Sequence, residues 1–144
     1  CAYADSFSHI PIQRMPNVSL KAGNEKCSTD DLISKVENGI YILGDKSWSI
    51  DMQRFNFQFT GQRFYKITNG KLDGQINNVA YQGNTLDFWN SLAGIGDKST
   101  YVLGGAFNCG KGQPGQIAPV SHGCPTALFK NVNVLNTNQE SSND

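Results

Sequence analysis

The chain carries no excess of charge and no long apolar run, and both absences exclude classes of protein. Its 144 residues include 12 basic and 12 acidic side chains, for a net charge of zero. Proteins that bind nucleic acid or an anionic membrane usually present a basic face, so neither partner is expected. No apolar run approaches the roughly 20 residues that span a bilayer. We therefore expect a soluble protein.

Cysteine and histidine are few, and their spacing is not that of a disulfide framework or a zinc finger. The four cysteines lie at positions 1, 27, 109 and 124, with none of the close pairs typical of structural zinc sites. A chain of this length can bury a core without disulfide bonds. A reducing cytoplasm is therefore the expected location.

The length fits one domain, which we expect to occupy residues 1–136. The last residues contain no apolar side chain, so residues 137–144 are predicted to form a frayed tail. Cys1 is an unusual first residue. Because the sequence begins abruptly at this residue, we expect the chain to be a fragment of a longer protein.

The apolar pattern predicts an α+β fold that is predominantly antiparallel β with two short helices. Alternation with polar residues is expected to place Phe55, Phe57 and Phe59 on one face of a sheet. Asn69-Gly70, between two apolar segments, predicts a tight hairpin turn.

Two segments have helical spacing instead. In the first, Ser28 is a predicted N-cap, and Gly39 marks the expected end of the helix. In the second, Asn84 or Thr85 is the predicted cap, and Gly94 marks the end.

The stretch "AFNCGKGQPGQIAPVSHGCP", residues 106–125, concentrates the reactive side chains. Together with Gly105 it matches seven positions of the phosphate-loop motif G-x-x-x-x-G-K-[ST], but Gly112 stands where a hydroxyl must bind magnesium. Pro114-Gly115 also opposes the helix whose N-terminus would receive phosphate. We reject nucleotide binding.

The same stretch offers ligands for a metal. Cys109, His122 and Cys124 are suitable zinc ligands, with a fourth available from Cys27, His9 or an acidic residue. The spacing does not favour a complete site, and each cysteine alone is more often a small buried apolar residue. A cysteine nucleophile activated by one of the histidines is a further alternative that no local signature supports.

A second candidate segment is "HIPIQRMPNVSL", which contains Arg14 and Asn17. A guanidinium and an amide can bind a peptide carboxylate or backbone groups. An ordinary surface ion pair for Arg14 and a turn cap for Asn17 explain the same residues equally well.

An ordered set of segments resembles the C-terminal part of the TldD/PmbA family, zinc metallopeptidases also described as modulators of DNA gyrase. The segments are "PIQRMPN", "ENGIYI", "FNFQFTGQRFYKITNGKL", "YQGNTLDFWNSLAGIGD", "CGKGQ" and "VSHGCPTALFKNVNV". The resemblance covers roughly positions 9–136. "PIQRMPN" and the long stretch after Cys109 are similar to the catalytic, TldD-like type.

The resemblance implies a zinc site shared with another part of the protein. In the family, two histidines of an HExxxH helix and one cysteine bind zinc, and the helix glutamate is the general base. Cys109 matches the cysteine, and we expect a strand ending at Phe107 to place it. The HExxxH element matches nothing in this chain, whose histidines are His9 and His122.

Partners follow from the same resemblance: a peptide substrate, held in part by Arg14 and Asn17, the missing N-terminal portion of the protein, and a second subunit of TldD/PmbA type in a homodimer or heterodimer. The alternative is a non-catalytic partner subunit or peptide-binding domain without metal. His122 and Cys124 match no ligand of the family, so structural roles are expected for them.

The isolated chain is predicted not to bind zinc tightly, because one thiolate cannot supply the three protein ligands that catalytic zinc sites usually use. Metal analysis after dialysis against zinc should find far less than one zinc ion per chain. Stoichiometric tetrahedral zinc would instead support the internal site of Cys109, His122 and Cys124.

Overall fold

The structure is a computed structural model that describes residues 2–4, 6–13, 17–112 and 115–138. Within these residues every pairing between strands is antiparallel, and the helices are short. The predicted α+β fold, predominantly antiparallel β, is confirmed. No helix in the described part of the chain is long and apolar enough to cross a membrane.

The strands, in chain order, are β1 (Ala2–Tyr3), β2 (Ile12–Gln13), β3 (Asn38–Ile50), β4 (Asn56–Thr68), β5 (Lys71–Ile76), β6 (Val79–Asn84), β7 (Leu92–Ile95), β8 (Val102–Lys111), β9 (Gln116–Cys124), β10 (Ala127–Phe129) and β11 (Asn133–Asn136). The helices are α1 (Thr29–Ile33) and α2 (Thr85–Asn90), with a 3₁₀ helix at Lys98–Thr100.

The largest sheet is built around β4. Its 13 residues span about 43 Å at roughly 3.3 Å per residue. One edge of β4 pairs with β3 along nearly its whole length. The other edge is shared, since β6 pairs with its first residues and β5 with its last, and β11 lies outside β6. Three further two-stranded pairs, β1 with β2, β7 with β10 and β8 with β9, complete the strands of the described residues.

Aromatic side chains of β4 form part of the core. Phe57 is 8% exposed and stacks on Phe59 with ring centroids 4.8 Å apart. Phe57 also contacts Phe88 of α2 edge to face at 5.1 Å, and Phe88 stacks on Phe129 of β10 at 4.0 Å. These rings fix α2 and β10 against the sheet.

The prediction that Phe55 shares this face is wrong. Phe55 is 52% exposed and precedes β4, which begins at Asn56. Its backbone N–H donates to a carboxylate oxygen of Asp51 at 2.7 Å, so Phe55 belongs to the turn and leaves the alternation of the strand.

The predicted helix starts are confirmed, and the predicted ends are wrong. Ser28 caps α1 in a capping box with Asp31, and the Asn84 side chain caps α2. Both helices end earlier than expected, α1 at Ile33 and α2 at Asn90. The glycines predicted to mark the ends lie in the strands that follow, Gly39 in β3 and Gly94 in β7.

The early end of α1 has a local cause. The Ser34 hydroxyl donates to the Asp31 carbonyl at 2.8 Å, while Lys35 N donates to Leu32 O, three residues back. The final carbonyl groups are thus satisfied after a single turn.

The tail predicted at 137–144 lies mostly outside the described residues. Its first residue, Thr137, donates its N–H to Asn78 O at 2.7 Å. Asn138 accepts from the Asn78 side chain at 2.5 Å.

The predicted turn at Asn69-Gly70 joins β4 to β5. Asn69 has φ of 50° and Gly70 has φ of 74°, as the two central residues of a type I′ turn require. The turn also packs on the end of α1, since Gly70 N donates to Val36 O at 2.8 Å.

Gly70→Ala is expected to destabilise the domain more than Gly74→Ala. Both glycines have positive φ, 74° and 83°, so an alanine at either adds about 1–2 kcal/mol of backbone strain. Only at Gly70 would the new Cβ meet a neighbouring backbone atom, Ser34 O at 2.7 Å, while nothing lies within 4 Å at Gly74. Urea unfolding of both variants measures the difference. Equal losses of unfolding free energy would contradict the contact with α1.

Acid is expected to destabilise the turn between β3 and β4. The Asp51 carboxylate accepts hydrogen bonds from Phe55 N at 2.7 Å and from Asn56 N at 3.0 Å, and these bonds lower the pKa of Asp51 below its ordinary value of 3.8. A carboxyl group with a lowered pKa in the folded state contributes stability above its unfolded pKa and loses it as the pH falls through the folded value.

Urea unfolding between about pH 5 and pH 2 should therefore show a smaller loss of unfolding free energy for Asp51→Asn than for the unchanged chain. Asparagine keeps an oxygen acceptor and does not titrate. If both proteins lose the same free energy over this interval, the assignment to Asp51 is wrong.

Candidate functional site

The strands β8 and β9 pair as the two arms of a β-hairpin, which we call the Cys109 hairpin. One face of its second strand, β9, is covered. The buried side chains of that face are Gln116, Ala118 and Val120. Ile117 and Pro119, between them, are exposed. β9 thus has a protected face and a solvent face, and we call the side of the hairpin that carries these three residues its protected face.

A bulge in β8 decides which face carries Cys109. Ala106 pairs with Val120 and Cys109 pairs with Ala118, so three steps along β8 match two along β9. Side chains change face at each step, so without the extra residue Cys109 would lie on the solvent face. The bulge turns it to the protected face, beside Ala118, which is 4% exposed. Cys109 is half-buried there, whereas Phe107 in the bulge is 90% exposed.

The prediction that the strand ends at Phe107 is wrong. Pairing resumes after the bulge, with Gly110 opposite Ile117 and Lys111 opposite Gln116. A bulge inserts one residue into a strand without ending it, so local sequence alone does not reveal the continuation.

The same pairing removes the phosphate-loop geometry. Among the described residues the next regular element after Lys111 is the strand β9, where a phosphate loop would require a helix. Gly105 has a packing reason to be glycine, because a Cβ there would clash with the Val120 carbonyl oxygen.

The base of the Cys109 hairpin is fixed to the rest of the domain through Thr126. Its hydroxyl hydrogen-bonds the Thr29 hydroxyl at the start of α1, at 2.8 Å. Its carbonyl accepts from Gly96 N at 2.7 Å, and its N–H donates to the Thr100 hydroxyl at 3.2 Å. Nearby, Cys27 N donates to the Asp97 carboxylate at 2.8 Å.

Cys109 and His122 are not brought together by the hairpin. His122 lies four residues beyond Ala118 on β9, about 13 Å along the strand. Zinc ligands lie about 2.0–2.3 Å from the metal, so their donor atoms must be within about 4 Å of one another. Cys124 is two residues farther and exposed. Among the described residues, no three Cys, His, Asp or Glu side chains are grouped to hold a metal ion.

The His122 ring instead contacts the segment before α1. Its Nδ1 lies 3.0 Å from Val18 O and 3.4 Å from Val18 N. A pairing of His122 with Cys109 as base and nucleophile is therefore not assembled in this conformation.

Asn17 also binds β9. Its side-chain oxygen accepts from Ser121 N at 2.8 Å, and the Ser19 hydroxyl accepts from Gly123 N at 3.0 Å. The contacts of Ser19 and of the His122 ring were not expected from the sequence. The partners are 104 residues apart, and no local pattern relates them. Arg14, the other predicted substrate-binding residue, lies outside the described residues.

Comparison with known families identifies the domain. A model of the PmbA/TldA metallopeptidase C-terminal domain matches residues 2–136. The chain belongs to this family. The resemblance stated from the sequence is thereby confirmed at the level of the family.

Individual relatives agree with this assignment. The chain is 35% identical over 127 residues to a metalloprotease of Methanothermobacter thermautotrophicus, covering 88% of this chain and 26% of the relative. It is 31% identical over 134 residues to a metalloprotease TldD homolog of Haemophilus influenzae, covering 93% and 27%. It is 32% identical over 121 residues to a metalloprotease of Archaeoglobus fulgidus, covering 84% and 27%. The chain therefore spans about a quarter of the length of these relatives.

Proposed function

We propose that this PmbA/TldA-type domain is the C-terminal domain of a TldD-like zinc metallopeptidase and that Cys109 donates a thiolate ligand. The observation that carries the proposal is the bulge that turns Cys109 to the protected face of its hairpin. Family membership and the names of the relatives, which are metalloproteases, support the activity.

The surroundings of Cys109 suit a ligand as well as a packing residue. A half-buried side chain next to Ala118 is shielded on one side, while β8 leaves the neighbouring Asn108 and Gly110 exposed. A cysteine that only packs against its neighbours needs no more than a position on the protected face. A ligand needs in addition an approach for the metal and for the other ligands, and the part of Cys109 that stays exposed leaves room for one.

Cys109 fits zinc as one ligand, because thiolate is a ligand that zinc binds well, and the described residues do not complete the site. We propose that two histidines and the general base belong to an HExxxH helix elsewhere in the full-length protein. Bound zinc would polarise the scissile carbonyl and lower the pKa of its water. The domain alone is then unable to hydrolyse peptides.

The remaining parts of the proposal concern substrate and assembly. We propose a peptide or unfolded polypeptide as substrate, with Arg14 and Asn17 in support, in a cytoplasmic homodimer or heterodimer of TldD/PmbA-type subunits. The side-chain oxygen of Asn17 accepts from Ser121 N, so a contact of Asn17 with substrate would use its amide nitrogen or the second lone pair of that oxygen.

One observation favours the second candidate, a peptide-binding domain without metal. Residues 102–108 of β8 are exposed, and within the described residues β8 pairs only with β9. Its outer edge therefore has backbone groups to which an extended peptide can add as a strand. Peptide binding at such an edge requires no metal.

Metal analysis of the full-length protein separates the two functions. Cys109→Ser is expected to lose most of the zinc and the peptidase activity, because serine is a poor zinc ligand. Cys124→Ser is the matched control and is expected to keep both, since Cys124 is exposed at the other end of the hairpin. Full zinc content in Cys109→Ser would refute the ligand assignment. Peptide binding by a protein that holds no zinc would favour the second candidate.

A further inference from the structure

We propose that Gln116 is a positioning residue for Cys109, whose side-chain amide donates a hydrogen bond to the Cys109 thiolate and tunes how strongly that sulfur binds zinc. The inference rests on the proposed function, in which Cys109 is a ligand. Gln116 itself touches neither metal nor substrate in this role and acts through the sulfur.

Gln116 has an uncommon position for an amide side chain. Among the described residues it alone combines a polar side chain with burial, at 4% exposed. Burying an amide is costly unless its polar groups are hydrogen-bonded, and glutamine is mostly an exposed residue. The other face of β9, with Ile117 and Pro119, is exposed and would accept an amide without that cost. A glutamine on the protected face therefore indicates a role for its amide on that face.

The register of the Cys109 hairpin puts Gln116 beside Cys109. Cys109 pairs with Ala118, and Gln116 lies two residues before Ala118 on the same face of β9. Residues placed diagonally across an antiparallel pair are about 7–8 Å apart, within reach of a long side chain. The glutamine side chain is long enough to bring its N–H groups to a sulfur at the diagonal position.

The other side chains described around Cys109 on this face offer no hydrogen-bond donor. Ala118 lies directly opposite Cys109, and Val120 is the diagonal neighbour on the other side. Ala106 pairs with Val120 and is apolar as well. Within this described part of the face, the amide of Gln116 is therefore the donor that the register offers to the sulfur.

A hydrogen bond to a thiolate affects how the sulfur holds a metal. A donor to an ionised group forms a strong bond that orients that group. Hydrogen bonds around cysteine sulfurs tune blue-copper and iron–sulfur centres. Partners of this kind, outside the ligands themselves, contribute roughly 10- to 100-fold to metal affinity. We therefore expect Gln116 to act on the affinity of the site as well as on the packing of the hairpin.

The test uses the full-length protein with cobalt(II) in place of zinc, because cobalt bonded to a thiolate gives a charge-transfer absorption band. Gln116→Met removes the amide and keeps an unbranched side chain of similar length. Val120→Ala is the matched control, since it removes apolar atoms from the same face on the other side of Ala118 and leaves the amide. The two measured quantities are the position of the band and the Kd for zinc, the latter in competition with a chromophoric chelator.

We expect Gln116→Met to move the band to longer wavelength, because a thiolate that loses a hydrogen bond gives up an electron more easily. The Kd for zinc should rise roughly 10- to 100-fold. Val120→Ala should leave the band and the Kd unchanged, although it lowers the free energy of unfolding. Gln116→Asn, which withdraws the amide by one methylene, should shift the band in the same direction and supplies the reading if Gln116→Met does not fold.

The band is read only from molecules that bind cobalt, so a purely structural role of Gln116 would reduce the amount of folded protein without moving it. An unmoved band in the Gln116 variants, or an equal shift in Val120→Ala, would overturn the inference. Failure of the proposed function gives a different result, because the unchanged protein would then show no thiolate band with cobalt at all.

Discussion

The pairing of β4 on both of its edges is the constraint on which the rest of the domain depends. The strand β3 pairs with one edge of β4, while β6 and β5 share the other edge. Segments that precede β4 in the chain and segments that follow it must therefore both pair with it. The turn at Gly70 rests on the end of α1, and the rings around Phe57 hold α2 and β10. The Cys109 hairpin is in turn fixed at its base by the bond between Thr29 and Thr126. The base of the hairpin is thus connected to the central sheet through α1.

Features with a local cause could be predicted from the sequence. Asn69-Gly70 requires positive φ at two consecutive residues, and Ser28 and Asn84 carry capping side chains, so the turn and both helix starts follow from nearby residues alone. The helix ends were missed because hydrogen bonds close α1 after one turn, well before Gly39.

The candidate site was less predictable, because its geometry depends on long-range pairing. The identity of Cys109 came from resemblance, but its orientation depends on a bulge that only the register with β9 reveals. The contacts of Asn17, Ser19 and His122 join segments 104 residues apart, so no window of sequence contains both partners. His122, a possible metal ligand by residue type, is bonded to the backbone of Val18.

Pro119 has a consequence for how this edge of the molecule grows. The N–H groups of Ser121 and Gly123 face outward from β9, and by the alternation of the strand the next outward position is 119, where proline has no N–H to donate. A strand added along this edge therefore lacks one hydrogen bond at residue 119. Proline on an edge strand is one of the features that oppose uncontrolled edge-to-edge association, so Pro119 disfavours the addition of a second molecule at this part of β9.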